Sequence, residues 1–259
     1  MNKIRKAFEH GKAFIPFITC GDPNLDTTRE VIREMAENGA DLIELGIPFS
    51  DPTAEGPVIQ DASLRALQAG TTTDKIFDMV RELRKEIATP FVFMTYANVI
   101  FSYGIEKFAK RAEEIGMDGL ILPDVPYEEK QEFASVFRSH GLDLISLIAP
   151  TSHSRIRMIA REAEGFVYCV SSLGVTGMRQ SITTNVGEMV DLVKSVNPQI
   201  PCAIGFGISN PEQAKKMAAS ADGVIVGSAI VKMIGEYGTD APKHVGAFVK
   251  EMKEAVEQA

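Results

Sequence analysis

Phe91-Val92-Phe93-Met94 is apolar at every position, where a strand with one wet face would alternate. Leu144-Ile145-Ser146-Leu147-Ile148 has nearly the same character, so both runs are predicted to be strands covered on two sides. Comparable runs begin near Phe14, Leu42, Phe91, Leu120, Leu144, Phe166, Pro201 and Val224. Those eight starts are spaced by 30 residues on average, the length of one strand with its crossover helix. Amphipathic stretches fill the intervals: Asp26 to Glu37, Asp74 to Ile87, Ile105 to Ile115, Glu128 to Ser139 and Pro211 to Ala219. Eight such units imply an α/β chain folded as a single (β/α)8 TIM barrel, since an open doubly wound sheet more often stops at five or six strands. An extra N-terminal helix and elaborated loops after strands 2 and 6 are expected, and with no linker or composition shift residues 1–259 read as one domain.

The chain has 259 residues, 27 Lys+Arg against 35 Asp+Glu, and a formal charge of −8. An acidic balance without a basic cluster argues against nucleic acid or an anionic membrane as the main partner. Cys20, Cys169 and Cys202 are few and far apart, as expected of free thiols rather than of disulfides or a zinc site. No apolar stretch reaches the ~18 residues of a membrane span, and the N-terminal segment lacks a signal-peptide core, so a cytoplasmic location is expected. His10, His140, His153 and His244 have neither metal-ligand spacing nor a nucleophile motif nearby, and no metal is expected.

In a barrel of this kind the chemistry sits at the C-terminal ends of the strands. Glu44 interrupts Leu42-Ile43-Glu44-Leu45 near such an end. A carboxylate in the helix layer would be costly to desolvate, so the barrel mouth is favoured, either as an acid/base or as half of a structural ion pair. The following loop, residues 47–57, holds three prolines with Asp51 and Glu55; it is either a stiff platform for a second acid or a rigid turn with solvated charges. Gly205-Phe206-Gly207 after the seventh strand and Gly227-Ser228 after the eighth form an expected phosphate site at a helix N-terminus, the alternative being glycines that relieve crowding. The long polar loop from Ser171 to Ser181 is either a lid or a passive surface loop.

The segments PFITCGDP, GADLIELGIPFSDPTAEGPVIQ, YANVIF, LILPDVP, VYCVSSLGVTG, IGFGIS and GSAIV, in that order from about Phe14 to Val231, resemble the tryptophan synthase alpha chain family. The resemblance implies retro-aldol cleavage of indole-3-glycerol phosphate to indole and glyceraldehyde 3-phosphate. Indole would then pass to a beta subunit that carries pyridoxal phosphate, in an alpha-beta-beta-alpha complex, with no cofactor in this chain. It further implies Glu44 as the acid/base, Glu55 as the carboxylate that holds the indole N–H, and Tyr168 as a positioning group. Glu55 stands where the family pattern has Asp. Phe17, Met94, Tyr96, Ile121, Thr176 and Phe206 would contact substrate, and Gly177, Gly207, Gly227 and Ser228 would hold its phosphate. Pro48, Asp51, Phe101 and Asp124 would face the partner. Two alternatives stay open at this stage: a weakened alpha-like subunit acting mainly as a beta-subunit activator, and another phosphate-binding barrel lyase or isomerase. A Schiff-base aldolase would need a lysine in a strand run, and none of the eight contains one.

Overall fold

The computed structural model describes residues 3–150, 152–171, 186–205 and 207–259. Eight parallel strands close into a barrel: β1 (Ala13–Thr19), β2 (Ile43–Gly46), β3 (Phe91–Met94), β4 (Gly119–Ile121), β5 (Asp143–Ile148), β6 (Val167–Val170), β7 (Cys202–Gly205) and β8 (Gly223–Val226). Each pairs with its sequence neighbour, and β1 closes on β8 through Ala13↔Gly223 to Pro16↔Val226. The unbroken apolarity of the strand runs has a direct cause. Phe91, Phe93, Leu144 and Ile148 point outward into the layer under the helices, while Val92, Ile145 and Leu147 point inward with Ile15, Ile121 and Ile225.

Before β1 lies α1 (Lys3–Lys6), the predicted extra helix. The helices α2 (Leu25–Glu37), α3 (Pro57–Gln68), α4 (Thr73–Leu83), α5 (Ala97–Tyr103) and α6 (Ile105–Glu114) follow the first three strands. The second half carries α7 (Gln131–Ser139), α8 (His153–Arg161), α9 (Val186–Val196), α10 (Pro211–Ala218), α11 (Ser228–Tyr237) and α12 (Ala241–Glu257). Side-chain caps start several of them. Asn24 accepts from the Thr27 N–H at 2.8 Å, and Asn210 does the same for Gln213 at 2.9 Å with Pro211 in the first helical position. The loop after β2 is elaborated as expected, since it carries both α3 and α4. The corresponding stretch after β6, residues 172–185, lies outside the described residues. Among the described residues, no helix is long and apolar enough to cross a membrane.

The lower rim of the barrel is laced by one repeated device. Asp41, Asp118 and Asp222 each precede a strand and accept the backbone N–H of the preceding one, from Phe14 (2.7 Å), Phe91 (3.0 Å) and Cys202 (2.8 Å). Each is also neutralised by a cation: Lys253, Arg84 and Lys194 respectively. Charge-assisted bonds of this kind hold strand register at the end of the barrel opposite the chemistry.

On the outside, His140 at the end of α7 reaches back to α6, with Nδ1 2.6 Å from Glu113 and Nε2 3.1 Å from Glu106. The two carboxylates raise its pKa above the ordinary 6.5. A raised folded-state pKa gives stability that is complete below about 6.5 and is lost as pH rises through the folded value. His140→Gln is therefore expected to lower the thermal midpoint near pH 6 and to leave it unchanged near pH 9. The difference should be roughly 0.5 kcal/mol or less, as for exposed ion pairs. An equal loss at both pH values would show that the ring acts by packing alone.

Candidate active site

Register places Glu44 at the mouth. Leu42 and Glu44 share the inward face of β2, and Glu44 pairs with Phe17 of β1 and Val92 of β3. The residue is completely buried, and neither carboxylate oxygen has a hydrogen-bond partner among the described residues. Burial alone pushes its pKa up to about 8, so the carboxyl is protonated at neutral pH. Among the described residues no counter-ion pairs with it, so nothing there supports the ion-pair alternative. Across the mouth stands Tyr168 on the inward face of β6, close enough for the Glu44 charge to add to the burial that raises its phenol. Tyr168 owes its place to Gly205 on the next strand: a Cβ there would lie 2.5 Å from the phenolic oxygen.

Glu55 comes from the proline-rich loop and is held by its surroundings. The Ala54 N–H donates to the Tyr96 hydroxyl at 2.9 Å, Phe49 lies against the Tyr96 ring, and Gln60 donates to the Glu55 carbonyl at 2.7 Å. Gly56 then leads into α3, whose first residue is Pro57. Glu55 is 8% exposed and one of its carboxylate oxygens lacks a partner among the described residues. Burial raises its pKa to about 7, backbone N–H groups of its own loop hold it down in part, and the charge of Asp124 adds a smaller upward push.

On the far wall Gly207 adopts a φ of +83°, in the region that favours glycine, just beyond β7. Gly227 precedes α11 and lies under Phe17, whose ring would be 3.1 Å from a Cβ at that position. The first-turn N–H groups of α11 have no carbonyl within the helix to bond, so with Gly207 they make a cradle for an anion. Phe17, Glu44, Glu55, Met94, Tyr168, Gly207, Gly227 and Ser228 all line one pocket. Two proton carriers with pKa values near neutrality therefore face an anion cradle across an apolar slot.

Three expected positions are placed differently. Ile121 is not on the pocket lining and packs among the inward chains of the barrel. Tyr96 lies in an adjoining cavity with Thr19, Phe49 and Pro52, where its hydroxyl supports the Glu55 loop. Pro48, in the same loop as Glu55, is buried rather than facing outward, whereas Asp51, Phe101 and Asp124 are exposed. Thr176, Gly177 and Phe206 lie outside the described residues. The pocket also has walls that sequence reasoning missed, namely Ile59, Pro123, Leu147, Ile208 and Ile225. The inward parity of Leu147 with Ile145 was the available signal for one of them. Among the described residues, no group of His, Cys, Asp and Glu side chains could hold a metal ion.

The family model described as tryptophan synthase alpha chain matches residues 4–259. The tryptophan synthase alpha chain of Lacticaseibacillus casei is 46% identical over 257 residues, which is 99% of this chain and 96% of the relative. Among solved structures, tryptophan synthase subunit alpha from Legionella pneumophila superposes with a TM-score of 0.88 at 38% identity, covering 100% of both chains. A chain of the tryptophan synthase complex from Pyrococcus furiosus gives 0.85 at 35% identity, covering 93% of this chain and 98% of that one. With the barrel and its pocket in agreement with these matches, the chain belongs to the tryptophan synthase alpha chain family.

Proposed function

We propose that this carbon–carbon lyase cleaves indole-3-glycerol phosphate to indole and glyceraldehyde 3-phosphate with Glu44 as its acid. The supporting observation is the buried Glu44 carboxyl, without a hydrogen-bond partner among the described residues and with a pKa raised by burial, set across an apolar slot from an anion cradle. Substrate phosphate lies on Gly207, Gly227 and Ser228, and the indole ring fills the slot beside Phe17 and Met94. Glu44 gives its proton to indole C3, which breaks the ring's aromaticity and leaves the adjacent C–C bond able to cleave. The side-chain hydroxyl then loses its proton to the Glu44 carboxylate, its C–O bond becomes the aldehyde carbonyl, and the C–C electron pair returns to the ring. Ionised Glu55 faces the indole N–H and stabilises the positive charge that C3 protonation creates. Tyr168 orients Glu44 and substrate. Thr176 and Gly177 are assigned to substrate and phosphate by their motif.

The chemistry requires only proton carriers and an anion cradle, so we infer that the chain works without a cofactor of its own. Indole leaves for a pyridoxal-phosphate beta subunit, seated on the exposed face that carries Asp51, Phe101 and Asp124, and the complex acts in the cytoplasm. The Pyrococcus furiosus neighbour comes from such a tryptophan synthase complex. The test is indole release from indole-3-glycerol phosphate by the purified chain, alone and with a beta subunit added. Slow release that rises strongly with the partner is the expected result; no release in either case would overturn the assignment. Ser228→Ala should raise KM severalfold with kcat little changed, because it removes a contact made equally in the ground and transition states. An unchanged KM would remove Ser228 from the phosphate site.

A further inference from the structure

Helices α7 and α8 both rest on the outer face of β5, and between them lies a cavity of about 430 Å³. The outward row of β5 reads Leu144, Ser146, Ile148, so one hydroxyl interrupts an apolar wall completed by Leu122 and Ile159. Lys130, the residue before α7, extends into this space; it is 8% exposed, and its Nζ donates to the Ser146 Oγ at 2.9 Å. Among the described residues no carboxylate forms an ion pair with Lys130, and burial lowers its pKa, with the more distant carboxylates raising it in part. Glu164, Glu162 and Asp143 act on it only through space, Glu164 being bound by Arg138, and the charged groups on the cavity lining are committed elsewhere. Arg155 at the rim is bound by both Glu128 oxygens at 2.7 and 2.8 Å, and Asp124 accepts the Ala97 N–H with both of its own at 3.1 Å.

A buried ammonium with one neutral partner is costly, and the natural compensation is an anion beside it. The space is far larger than a bare inorganic ion needs and falls in the range of small-molecule sites. Leu122, Leu144, Ile148 and Ile159 form the wall around Lys130 and Ser146, with the polar groups of Asp124, Tyr127 and Arg155 also on the lining, so the part of the ligand that fills the inner space is apolar. A free amino group on the ligand would find Lys130 and Arg155 repulsive, which disfavours zwitterions. We propose that this cavity is a second ligand site, which binds a small carboxylate with an apolar body, its carboxylate on Lys130 and Ser146. The site is separate from the pocket at the barrel mouth, yet the two share Pro123 and Leu147 as a common wall. A ligand there is therefore placed to shift the wall of the active site.

Titration of 3-phenylpropionate into the full chain, followed by calorimetry, tests this. Saturable binding at one site is expected, weakened at least tenfold by Lys130→Met and abolished by Ser146→Leu, which fills the cavity. Glu44→Gln should bind as wild type, and saturating indole-3-glycerol phosphate should not displace the probe from that variant. Uncharged 3-phenylpropanol should bind wild type at least tenfold more weakly than the acid and should show no preference between wild type and Lys130→Met. The proposal is overturned if wild type fails to bind the acid, if Lys130→Met and Ser146→Leu both bind it normally, or if substrate displaces it. Thermal unfolding of both variants confirms that lost binding is not lost folding, and a failure of either to fold leaves the acid-against-alcohol comparison on wild type to decide.

Discussion

Glu44→Gln is expected to reduce indole release by a factor of about 10²–10⁴, the contribution of a positioned general acid, while substrate still binds. Gln is nearly isosteric with the protonated carboxyl that occupies the site at neutral pH, so the barrel should stay intact. Relative to wild type it should in fact gain stability with rising pH. In wild type the folded-state pKa of about 8 lies above the ordinary 4.5, so the folded protein holds a proton that the unfolded chain has released. Stability then falls as pH rises between those two values and levels off above the higher one. The variant lacks this loss. Its advantage over wild type, read from denaturant midpoints, should be absent near pH 4, grow towards pH 8 and amount to a few kcal/mol at most, roughly the size of the shift. A normal rate in Glu44→Gln would remove Glu44 from the reaction.

The second large effect concerns Glu55. In the proposed mechanism its charge is required when the ring becomes cationic, so Glu55→Gln should lower kcat by about 10²–10³, as the loss of one preorganised electrostatic contact does. Glu44 must be protonated and Glu55 ionised at the same time, and their pKa values of about 8 and about 7 leave a narrow window between them. The profile of kcat/KM against pH should be a bell centred in that window, with the acidic limb absent in Glu55→Gln. Glu55→Asp restores the residue usual in the family and should keep most of the activity, because Tyr96 and Gln60 hold the loop backbone whatever the side chain. A Glu55→Gln enzyme with an unaltered acidic limb would contradict the role assigned to this carboxylate.

The barrel was legible because its strands are apolar on both faces: Phe91 and Phe93 point out, Val92 points in, and no polar row disguises the run. Every predicted strand start falls within one residue of the observed one. Helices were less visible where they are short or start without a strong signal. The seven-residue α5 reads as part of a loop, and α8 lacks a side-chain cap. Glu44 stood out as a charge inside an apolar strand, and the glycines of the cradle by their place after the last two strands. The apolar walls did not: Leu147 and Ile121 look alike in sequence, and only strand length and the slope of the barrel decide that one reaches the pocket and the other stays below. Lys130 was invisible for the opposite reason. In the string Tyr127-Glu128-Glu129-Lys130-Gln131 it reads as one more solvated charge, and its burial depends on Ser146, sixteen residues away on β5.

The central claim is that Glu44 is held as a neutral acid until substrate arrives. Infrared difference spectra of wild type minus Glu44→Gln, recorded across the neutral pH range, test it most directly. A protonated-carboxyl C=O band is expected at pH 7 and should be lost on ionisation near pH 8, with no such titration in the variant. An ionised Glu44 carboxylate already present at pH 6 would contradict it.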